Sequence, residues 1–331
     1  MIENLISNEF ILFSLLIFLI SLLIDLIIGE LPNKIHPVVF IGNIINFLLN
    51  YLIKIKNKFS GVLLTILTTI VLLTIFLIIL NISNINFILF VFISSLILSS
   101  TYSIKMLLSS AKEIEIDLNN DLDVARKKTS YLVSRNTKDL NQELITSATI
   151  ESLSENVTDS YIAPVFYYFL FIIIFSIFNI NNIILLILIP LLYRVINTLD
   201  AMVGYKDKKY INIGFFPAKI DDILNYIPSR IGGFLIVISA FLLRYDYKNS
   251  YKIFKRDSTN CPSPNSGFTM APTAGALDIQ LIKKDIYILG DNIKVIKPND
   301  ISKTIKLSKI AIILFSLIFL IIIKIIYLVM L

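Results

Sequence analysis

Long apolar runs alternate with polar segments along the whole chain. The runs are rich in Leu, Ile and Phe, and the longest reach the roughly 20 residues that a helix needs to cross a bilayer. They are too many and too long for the core of a soluble protein of 331 residues. We therefore predict membrane-spanning helices from the runs Phe10–Leu23, Gly61–Leu80, Phe87–Leu98, Ile162–Phe178 and Ile310–Leu331.

Composition supports this interpretation, because 56% of the residues are hydrophobic and only 16% are charged. The first run follows Glu3 and Glu9 instead of basic residues and has no small-residue cleavage site. We expect it to be a retained anchor and not a signal peptide. The predicted fold class is an all-α integral membrane protein with about five or six transmembrane helices, re-entrant or half helices, and cytoplasmic helical segments.

Basic residues are confined to a few parts of the chain. Of the 30 Lys and Arg residues, all except Lys324 lie in the segments 29–60, 105–160, 194–230 and 244–309. Basic loops stay in the cytoplasm, so we expect all four segments, and the active site they carry, on the cytoplasmic face of the cell membrane. This distribution also explains the net charge of +6 without a nucleic-acid partner.

Two apolar runs are short for a membrane span. The thirteen residues Ile231–Leu243 would form a helix of about 20 Å, against a hydrocarbon core of about 30 Å. We expect a re-entrant or interfacial helix there. The run Ile183–Tyr193 contains Pro190 and is also short, so we expect that it too can enter the membrane without crossing it.

The sequence predicts one polytopic membrane domain over residues 1–331. Segment 105–160 lacks Pro and Gly and has helical patterning, so it is predicted to be a cytoplasmic helical insertion. Segment 244–309 is predicted to be a cytoplasmic loop region with a Ser-Pro-Asn-Ser-Gly motif. Its centre, Cys261–Gly275, has three prolines and two glycines, which is typical of loops.

One acidic group stands just before an apolar run. Glu151, Glu155 and Asp159 recur every four residues, so a helix would align them beside Asn156. Like charges at this spacing repel one another, and a divalent cation or a cationic ligand would relieve the repulsion. The alternative is a solvated acidic face.

A second group mixes basic residues with hard oxygen ligands. Arg194, Asn197 and Asp200 are spaced by three, and the polar residues downstream of them include Lys206, Asp221, Asp222 and Arg230. This chemistry fits Mg²⁺ together with phosphate, whereas a chain with one His and one Cys cannot build a His-cluster metal site or an internal disulfide. The alternative is interfacial Lys and Arg side chains that reach toward water.

A third group consists of Arg256 and Asp257 followed by the loop Ser263–Gly267. Two prolines and a glycine favour an irregular backbone whose N–H groups can face an anion. The candidate binding residues in this loop are Ser263, Asn265, Ser266 and Gly267. An ordinary loop is the alternative, and the standard P-loop, Rossmann and hydrolase motifs are absent from the sequence.

In this order and spacing, the motifs resemble the adenosylcobinamide-phosphate synthase family of cobalamin biosynthesis, the CbiB-type membrane enzymes. The family usually has Arg-Leu-Gly-Gly where this chain reads Gln280-Leu281-Ile282-Lys283. The matching motifs are Asp25 with Gly29, Pro32 and His36-Pro37-Val38; Ser134-Arg135-Asn136-Thr137; Glu151 to Asn156 with Asp159; Tyr193-Arg194 through Asp200; Met202 to Lys206; Asp221-Asp222; Asn225 to Pro228 with Arg230; Arg256-Asp257; Ser263 to Gly267; and Ala274 to Leu277.

The resemblance implies an amide ligation that consumes ATP with Mg²⁺. Adenosylcobyric acid would be joined to (R)-1-amino-2-propanol or its O-phosphate, and the lipid bilayer and other cobalamin-biosynthesis enzymes would be further partners. The implied catalytic residues are Glu151, Glu155, Asp159 and Asp200. The implied metal ligands are Glu155, Asp159, Asp221 and Asp222. The implied ligand-binding residues are Asn156, Arg194, Asn197, Lys206, Arg230, Arg256, Asp257, Ser263, Asn265, Ser266 and Gly267.

Two other classes of function stay open at this point. A transporter or channel would use similar polar residues, but it would place them near the middle of the bilayer. A non-catalytic membrane scaffold for corrinoid enzymes would bind without turnover of ATP. The polar groups of this chain stand at the ends of apolar runs and in long loops, which favours the enzyme.

Overall fold

The computed structural model describes residues 7–29, 31–32, 36–205 and 207–330, so Glu30 and the predicted phosphate-binding residue Lys206 lie outside the described residues. The described chain is almost entirely helical, with one antiparallel pair of strands. Its elements are α1 (Ser7–Ile27), α2 (Pro37–Leu52), a 3₁₀ turn (Ile53–Ile55), α3 (Lys58–Ser83), α4 (Phe87–Ser99), α5 (Lys105–Asn120), α6 (Leu122–Thr129), α7 (Gln142–Val157), a π segment (Thr158–Ile162), α8 (Ala163–Ile177), α9 (Ile183–Val203), α10 (Phe215–Leu224), α11 (Tyr226–Leu242), α12 (Tyr247–Asp257), α13 (Gly267–Leu277), β1 (Leu281–Lys283), β2 (Tyr287–Leu289) and α14 (Asn299–Met330).

Among the described residues, six helices are long and apolar enough to cross a membrane. They confirm the predicted class, an all-α integral membrane protein. Helices α10 and α11 pass the same test only as a bent pair, which is either a broken span or a re-entrant loop. The six candidate spans are Asn8–Ile27, Pro37–Ile55, Lys58–Ser83, Gln142–Ile177, Ile183–Val203 and Asn299–Val329. The run Phe87–Leu98, which was predicted to span, forms the 13-residue helix α4 and is too short to be among them.

Three helices differ in extent from the sequence prediction. Helix α9 continues for 21 residues through Pro190, so the polar residues after Tyr193 mark a change of side-chain chemistry and not the end of the helix. The candidate span Pro37–Ile55 lies inside segment 29–60, where three asparagines had interrupted the apolar pattern. Helix α11 has 17 residues and starts before the thirteen-residue apolar run.

Segment 244–309 is far more regular than the predicted loop region. The irregular stretch ends at Ser266, because α13 begins at Gly267 and includes Pro272 within the helix. Glycines here provide space for a neighbouring chain segment instead of a turn. A Cβ on Gly275 would lie 2.7 Å from the backbone oxygen of Asn249 in α12 and 2.8 Å from the Cα of Ser250. Close helix packing therefore explains this residue.

The chain forms two compact units, each assembled from separate segments. The first unit contains α1 to α4, α8 to α10 and the end of α14. Within it, α9 packs against α2, α3, α8 and α10, and α1 packs against α4 and α8. The buried Phe18 and Phe169 rings meet with their centroids 4.7 Å apart, and the Tyr168 hydroxyl donates to the Ser14 carbonyl oxygen at 2.8 Å. Aromatic and aliphatic packing holds this unit together.

The second unit contains α5 to α7, α11 to α13, the strand pair and most of α14. Helix α13 is its centre, because every residue from Thr269 to Leu277 is buried and the helix packs against α7, α11, α12 and β2. The small side chains of α13 let these neighbours approach closely. Most of the predicted site residues that follow belong to this second unit.

Candidate functional site

Glu151 on α7 is a buried carboxylate of the second unit whose two oxygens are both hydrogen-bonded. Its side chain is buried, with 4% exposed. The Arg135 guanidinium donates to Oε2 at 2.9 Å, the Tyr287 hydroxyl donates to the same oxygen at 2.8 Å, and the Ser147 hydroxyl donates to Oε1 at 2.6 Å. A buried charge is tolerated when it is paired and hydrogen-bonded in this way. Glu151 is therefore a fixed anchor between three chain segments.

The strand pair is held to this anchor by its backbone. The N–H of Ile282 donates to the Ser147 hydroxyl at 3.0 Å, and the carbonyl oxygen of Ile282 accepts from Arg135 at 3.0 Å. Lys283 pairs with Tyr287 in the antiparallel register, which brings the tyrosine back toward α7. The segment Gln280–Lys283 departs from the family motif, but these two contacts use main-chain atoms and do not depend on its side chains.

Glu155 lies one helical turn beyond Glu151 and is half-buried. The pKa of the nearby Cys261 thiol is raised to about 11, first by burial and then by the charges of Glu155 and Glu151, against an opposing hydrogen bond with Ser266. Burial and the Glu151 carboxylate also raise the pKa of the Tyr287 phenol well above its usual value. These shifts place Cys261 and Tyr287 within electrostatic reach of both carboxylates.

The predicted alignment of Glu151, Glu155 and Asp159 along one helical face, the acidic stripe, is only partly present in the structure. Glu151 and Glu155 lie on α7, but Asp159 falls in the π segment Thr158–Ile162, where wider turns shift a residue away from regular four-residue spacing. Asn156 turns its amide back to the Ser152 carbonyl oxygen, to which it donates at 2.8 Å. The stripe thus consists of two carboxylates in α-helical register, with the third displaced.

The Ser263–Gly267 loop is fixed by Arg230 of α11. The Arg230 guanidinium donates to the Asn265 side-chain oxygen at 3.0 Å and to the Pro264 carbonyl oxygen at 3.3 Å. Its carbon lies 3.5 Å from the Tyr226 ring centroid and 3.9 Å from that of Phe268. In the described part of the chain, no carboxylate lies within ion-pair distance of Arg230. The loop is therefore held by a fixed cation that no carboxylate among the described residues balances.

The loop conformation depends on side-chain and glycine contacts. The Ser263 hydroxyl accepts the Asn265 N–H at 3.3 Å, and Asn265 is buried. A Cβ on Gly267 would lie 2.3 Å from the Ser258 carbonyl oxygen. Only glycine lets the chain pass this point and begin α13. The Ser266 hydroxyl contacts the Cys261 thiol, which links the loop to the surroundings of Glu155.

Arg256 and Asp257 are engaged with each other. The Arg256 guanidinium donates to both Asp257 oxygens, at 2.7 and 2.8 Å, and to Asp291 at 2.8 Å. Asp257 also accepts the Gly290 N–H at 2.7 Å. The arrangement fastens α12 to the chain after β2, and both carboxylates neutralise the arginine. A structural clamp accounts for these contacts, and the predicted phosphate contact of Arg256 stays a prediction.

The remaining predicted residues belong to the first unit. The Arg194 guanidinium donates to the Thr101 carbonyl oxygen at 2.9 Å and to the Asn197 side chain at 3.0 Å. Asn197 in turn donates to Asp221 at 3.3 Å. Asp222 lies 3.8 Å from Lys219. The fold thus brings together two members of the second sequence group, Asn197 and Asp221, that are 24 residues apart in the chain.

Asp200 is positioned by a close turn at the end of α9. A Cβ on Gly204 would overlap the Asp200 carboxylate and lie 2.7 Å from its carbonyl oxygen. The glycine at the first position after the helix therefore leaves room for this acid. The catalytic role assigned to Asp200 stays a prediction.

The donor chemistry suits Mg²⁺ only in company with a ligand. The part of the chain that the structure describes holds no cluster of three or more His, Cys, Asp or Glu residues suited to a metal ion. Magnesium is commonly held by one or two carboxylates plus phosphate oxygens and waters, so a complete protein cage is not required. Glu155 in the second unit, or Asp221 and Asp222 in the first, fit that partial role.

Sequence reasoning missed three residues of the Glu151 network. Arg135 lies in one of the motifs that carried the resemblance, so its presence in a site had a signal. Ser147 lies four residues before Glu151 on the same helical face, which is a weaker signal. Tyr287 is 136 residues from Glu151, and nothing in its local sequence indicates that contact.

The fold and the site define a polytopic all-α membrane protein in which a carboxylate network and an arginine-fixed loop share one compact unit. A family model described as CobD/Cbib protein matches residues 18–308. The chain belongs to this family of cobalamin-biosynthesis proteins, as the resemblance had indicated.

Relatives from archaea and bacteria cover nearly the whole chain. The probable cobalamin biosynthesis protein CobD of Methanothermobacter thermautotrophicus is 44% identical over 302 residues, which cover 91% of this chain and 95% of the relative. The protein of the same name from Methanocaldococcus jannaschii is 39% identical, with 83% and 88% covered. The cobalamin biosynthesis protein CobD of Clostridium perfringens is 37% identical, with 86% and 90% covered. No solved structure matches the chain significantly.

Proposed function

We propose that the protein catalyses ATP- and Mg²⁺-dependent amide formation between adenosylcobyric acid and (R)-1-amino-2-propanol or its O-phosphate. The product is adenosylcobinamide or its phosphate, within cobalamin biosynthesis. The observation that carries the site assignment is Arg230. It is a cation without a carboxylate partner in the described residues, held by two aromatic rings and fixed to the Ser263–Gly267 loop. Such a group suits a phosphate or another anionic ligand.

The proposed reaction has two balanced steps. The propionate oxygen attacks the terminal phosphorus of ATP, and ADP leaves. The nitrogen of the amine then attacks the acyl carbon, and inorganic phosphate leaves as the amine loses a proton. Bound Mg²⁺ would supply neutralisation of phosphate charge during the first step. Arg230 and the hydroxyls of Ser263 and Ser266 would orient the anionic groups, which lowers the entropic barrier to attack.

Glu151 and Glu155 divide the acidic roles in this proposal. Glu151 is committed to Arg135, Tyr287 and Ser147, so its part is to fix α7 and the strand pair. Glu155 is half-buried near Cys261, and it would accept the amine proton or contact Mg²⁺. General base catalysis by a positioned carboxylate contributes roughly 100- to 10,000-fold to a rate.

The substitution Glu155→Gln tests this assignment with little change of shape. Purified protein in detergent would receive adenosylcobyric acid, the amine, ATP and Mg²⁺, and the amide product would be measured by mass spectrometry. We expect a loss of at least about 100-fold in kcat, because the amide cannot take a proton. The control is Glu143→Gln, an exposed residue in the first turn of the same helix, which we expect to keep wild-type activity.

Full activity of Glu155→Gln would refute the role of Glu155. Failure of the wild-type protein to form the amide from either amine, while it binds the corrinoid, would refute the ligase proposal and favour the scaffold. The same assay therefore separates the two classes of function.

A further inference from the structure

Helix α11 exposes a continuous apolar surface in the second unit. Phe234 is 52% exposed, Ile238 is 42% exposed and Phe241 is 58% exposed. These residues recur at intervals of three or four and so share one helical face. The opposite face carries Gly232, Gly233, Ile236 and Ser239, which are buried within the unit. The large exposed residues therefore face outward, on a helix whose other side is packed.

Helix α12 borders this apolar surface with tyrosines. The Tyr247 ring packs on Phe241 with centroids 5.2 Å apart, and the Tyr251 ring packs on Phe234 at 6.4 Å. Both tyrosines keep a substantial exposed area, 39% and 42%. Rings with an apolar body and a polar hydroxyl are enriched where hydrocarbon meets water. The tyrosines thus form a boundary between the α11 surface and the outer face of α12.

Three lysines of α12 lie beyond the tyrosines. Each residue of an α-helix is rotated by roughly 100° from the one before it. This rotation places Lys248, Lys252 and Lys255 next to the tyrosines, on the side of α12 away from the buried Ile253. Lys248 and Lys255 make no ion pair among the described residues, and the Lys255 ammonium lies 5.3 Å from the Tyr251 ring centroid. Lys252 lies 3.6 Å from Asp291.

The charges around these lysines leave an excess of positive charge. Asp291 is the carboxylate that contacts Lys252, and it also pairs with Arg256. Asp257 is occupied by Arg256 as well. Apolar, aromatic and basic zones therefore succeed one another from α11 to the outer side of α12. This order matches acyl chains, the interface and anionic headgroups of a bilayer.

We propose that the α11–α12 face, formed by Phe234, Ile238, Phe241, Tyr247, Tyr251, Lys248, Lys252 and Lys255, binds anionic phospholipid. The apolar residues of α11 lie among the acyl chains, the tyrosines lie at the interface, and the lysines contact headgroup phosphates. The occupant is lipid and not a second copy of the chain, because the excess positive charge of the three lysines beside the apolar surface would repel its own counterpart. This inference is independent of the proposed ligation.

Lipid retention measures the basic part of the face. The full-length protein would be reconstituted in nanodiscs with equal amounts of phosphatidylcholine and phosphatidylglycerol, then released for native mass spectrometry. We expect preferential retention of phosphatidylglycerol. The triple variant Lys248→Gln, Lys252→Gln, Lys255→Gln should lower its excess over phosphatidylcholine by at least tenfold, since one lysine near an anionic surface is worth about fivefold.

A charge-matched control separates local recognition from net charge. The triple variant Lys127→Gln, Lys138→Gln, Lys284→Gln removes three exposed lysines of the same unit, outside the α11–α12 face. We expect it to retain phosphatidylglycerol as the wild type does. Equal losses in the two triple variants, or no loss in the α12 variant, would overturn the proposal.

Tryptophan fluorescence measures the apolar part of the face, because the chain has no Trp. Phe241→Trp places a single reporter on the surface, and Tyr131→Trp places one at a residue that is 73% exposed after α6. In vesicles with lipids brominated on their acyl chains, we expect strong quenching of the first reporter and none of the second. An unquenched Trp at position 241, as a second copy covering this surface would produce, would refute lipid contact.

Discussion

The reactivity of a single residue, Cys261, is sensitive to the charge of the carboxylates in the candidate site. Its thiol is partly buried beside Glu155 and Glu151, and its pKa is raised to about 11. Near pH 8, a shift of about two units leaves roughly one hundredth of the thiolate present in an unperturbed cysteine. The thiolate is the nucleophile, so reaction with iodoacetamide should be slow in the folded protein and should accelerate as the pH rises toward 11.

The variant Glu155→Gln should make Cys261 react faster. Removing the carboxylate charge lowers the thiol pKa, so we expect a severalfold higher alkylation rate at pH 8, measured by intact-protein mass spectrometry. Glu143→Gln serves again as the control and should leave the rate unchanged. An unchanged rate in Glu155→Gln would show that this carboxylate is not ionised near the thiol, and it would weaken the proposed catalytic role independently of any activity assay.

Glycine contacts decide how the elements of the second unit pack. A Cβ on Gly275 of α13 would lie within 3 Å of Asn249, Ser250 and Ile253 of α12. Two of these contacts involve backbone atoms, which cannot move as a side chain can. Overpacking of this kind costs about 1–3 kcal/mol, which outweighs the gain in helix propensity of up to about 1 kcal/mol.

We therefore expect Gly275→Ala to destabilise the protein by about 1–2 kcal/mol, measured as a lower midpoint of thermal or denaturant unfolding in detergent. Gly42→Ala on α2 is the matched control. Its Cβ would meet only the Met202 sulfur, at 3.8 Å, so this substitution should be neutral or slightly stabilising. A wild-type midpoint for Gly275→Ala would contradict the close packing of α12 on α13.

The residues at which the helices begin and end depend on tertiary contacts more than on local composition. The proline-rich stretch Cys261–Gly275 predicted a loop, but α13 begins at Gly267 because its small residues pack among larger helices. The π segment Thr158–Ile162 moved Asp159 out of the predicted stripe, and no local sequence rule distinguishes such a segment from an α-helix. Helix α9 extends past Tyr193 because Arg194 and Asn197 find polar partners within the unit.

The distribution of basic residues makes a prediction for the molecule as a whole. If segment 105–160 is cytoplasmic and the turn between α3 and α4 is external, single cysteines at these places should differ in accessibility. In a Cys261→Ser background, we expect Ile85→Cys to react with an impermeant maleimide in intact cells. Tyr131→Cys should react only after permeabilisation. Both positions are exposed, at 83% and 73%, so burial does not explain a difference.

Labelling of Tyr131→Cys in intact cells would reverse the predicted orientation. Equal labelling of the two positions before permeabilisation would contradict the predicted crossing of the membrane by the run Phe87–Leu98, which lies between them in the chain. Either result would also relocate the proposed active site, since its acidic residues Glu151, Glu155 and Asp159 lie in segment 105–160.

The sequence by itself determined the class of fold and the family, and it supplied the candidate residues of the site. Apolar runs of about 20 residues have few alternatives to membrane helices, because a bilayer cannot satisfy open backbone groups. The motifs included Glu151, Glu155, Arg230 and the Ser263–Gly267 loop. Polar residues are rare in this chain, so those that a site requires form recognisable groups in the sequence.

Tertiary structure alone decided how those residues are engaged. It paired Glu151 with Arg135 and Tyr287, neutralised Arg256 with Asp257 and Asp291, and left Arg230 without a carboxylate among the described residues. It also divided the chain into two units, although no repeat or linker in the sequence marks them. The physical reason is that an ion pair or a packed glycine depends on distances of a few ångströms between residues far apart in the chain, which local pattern and composition do not encode.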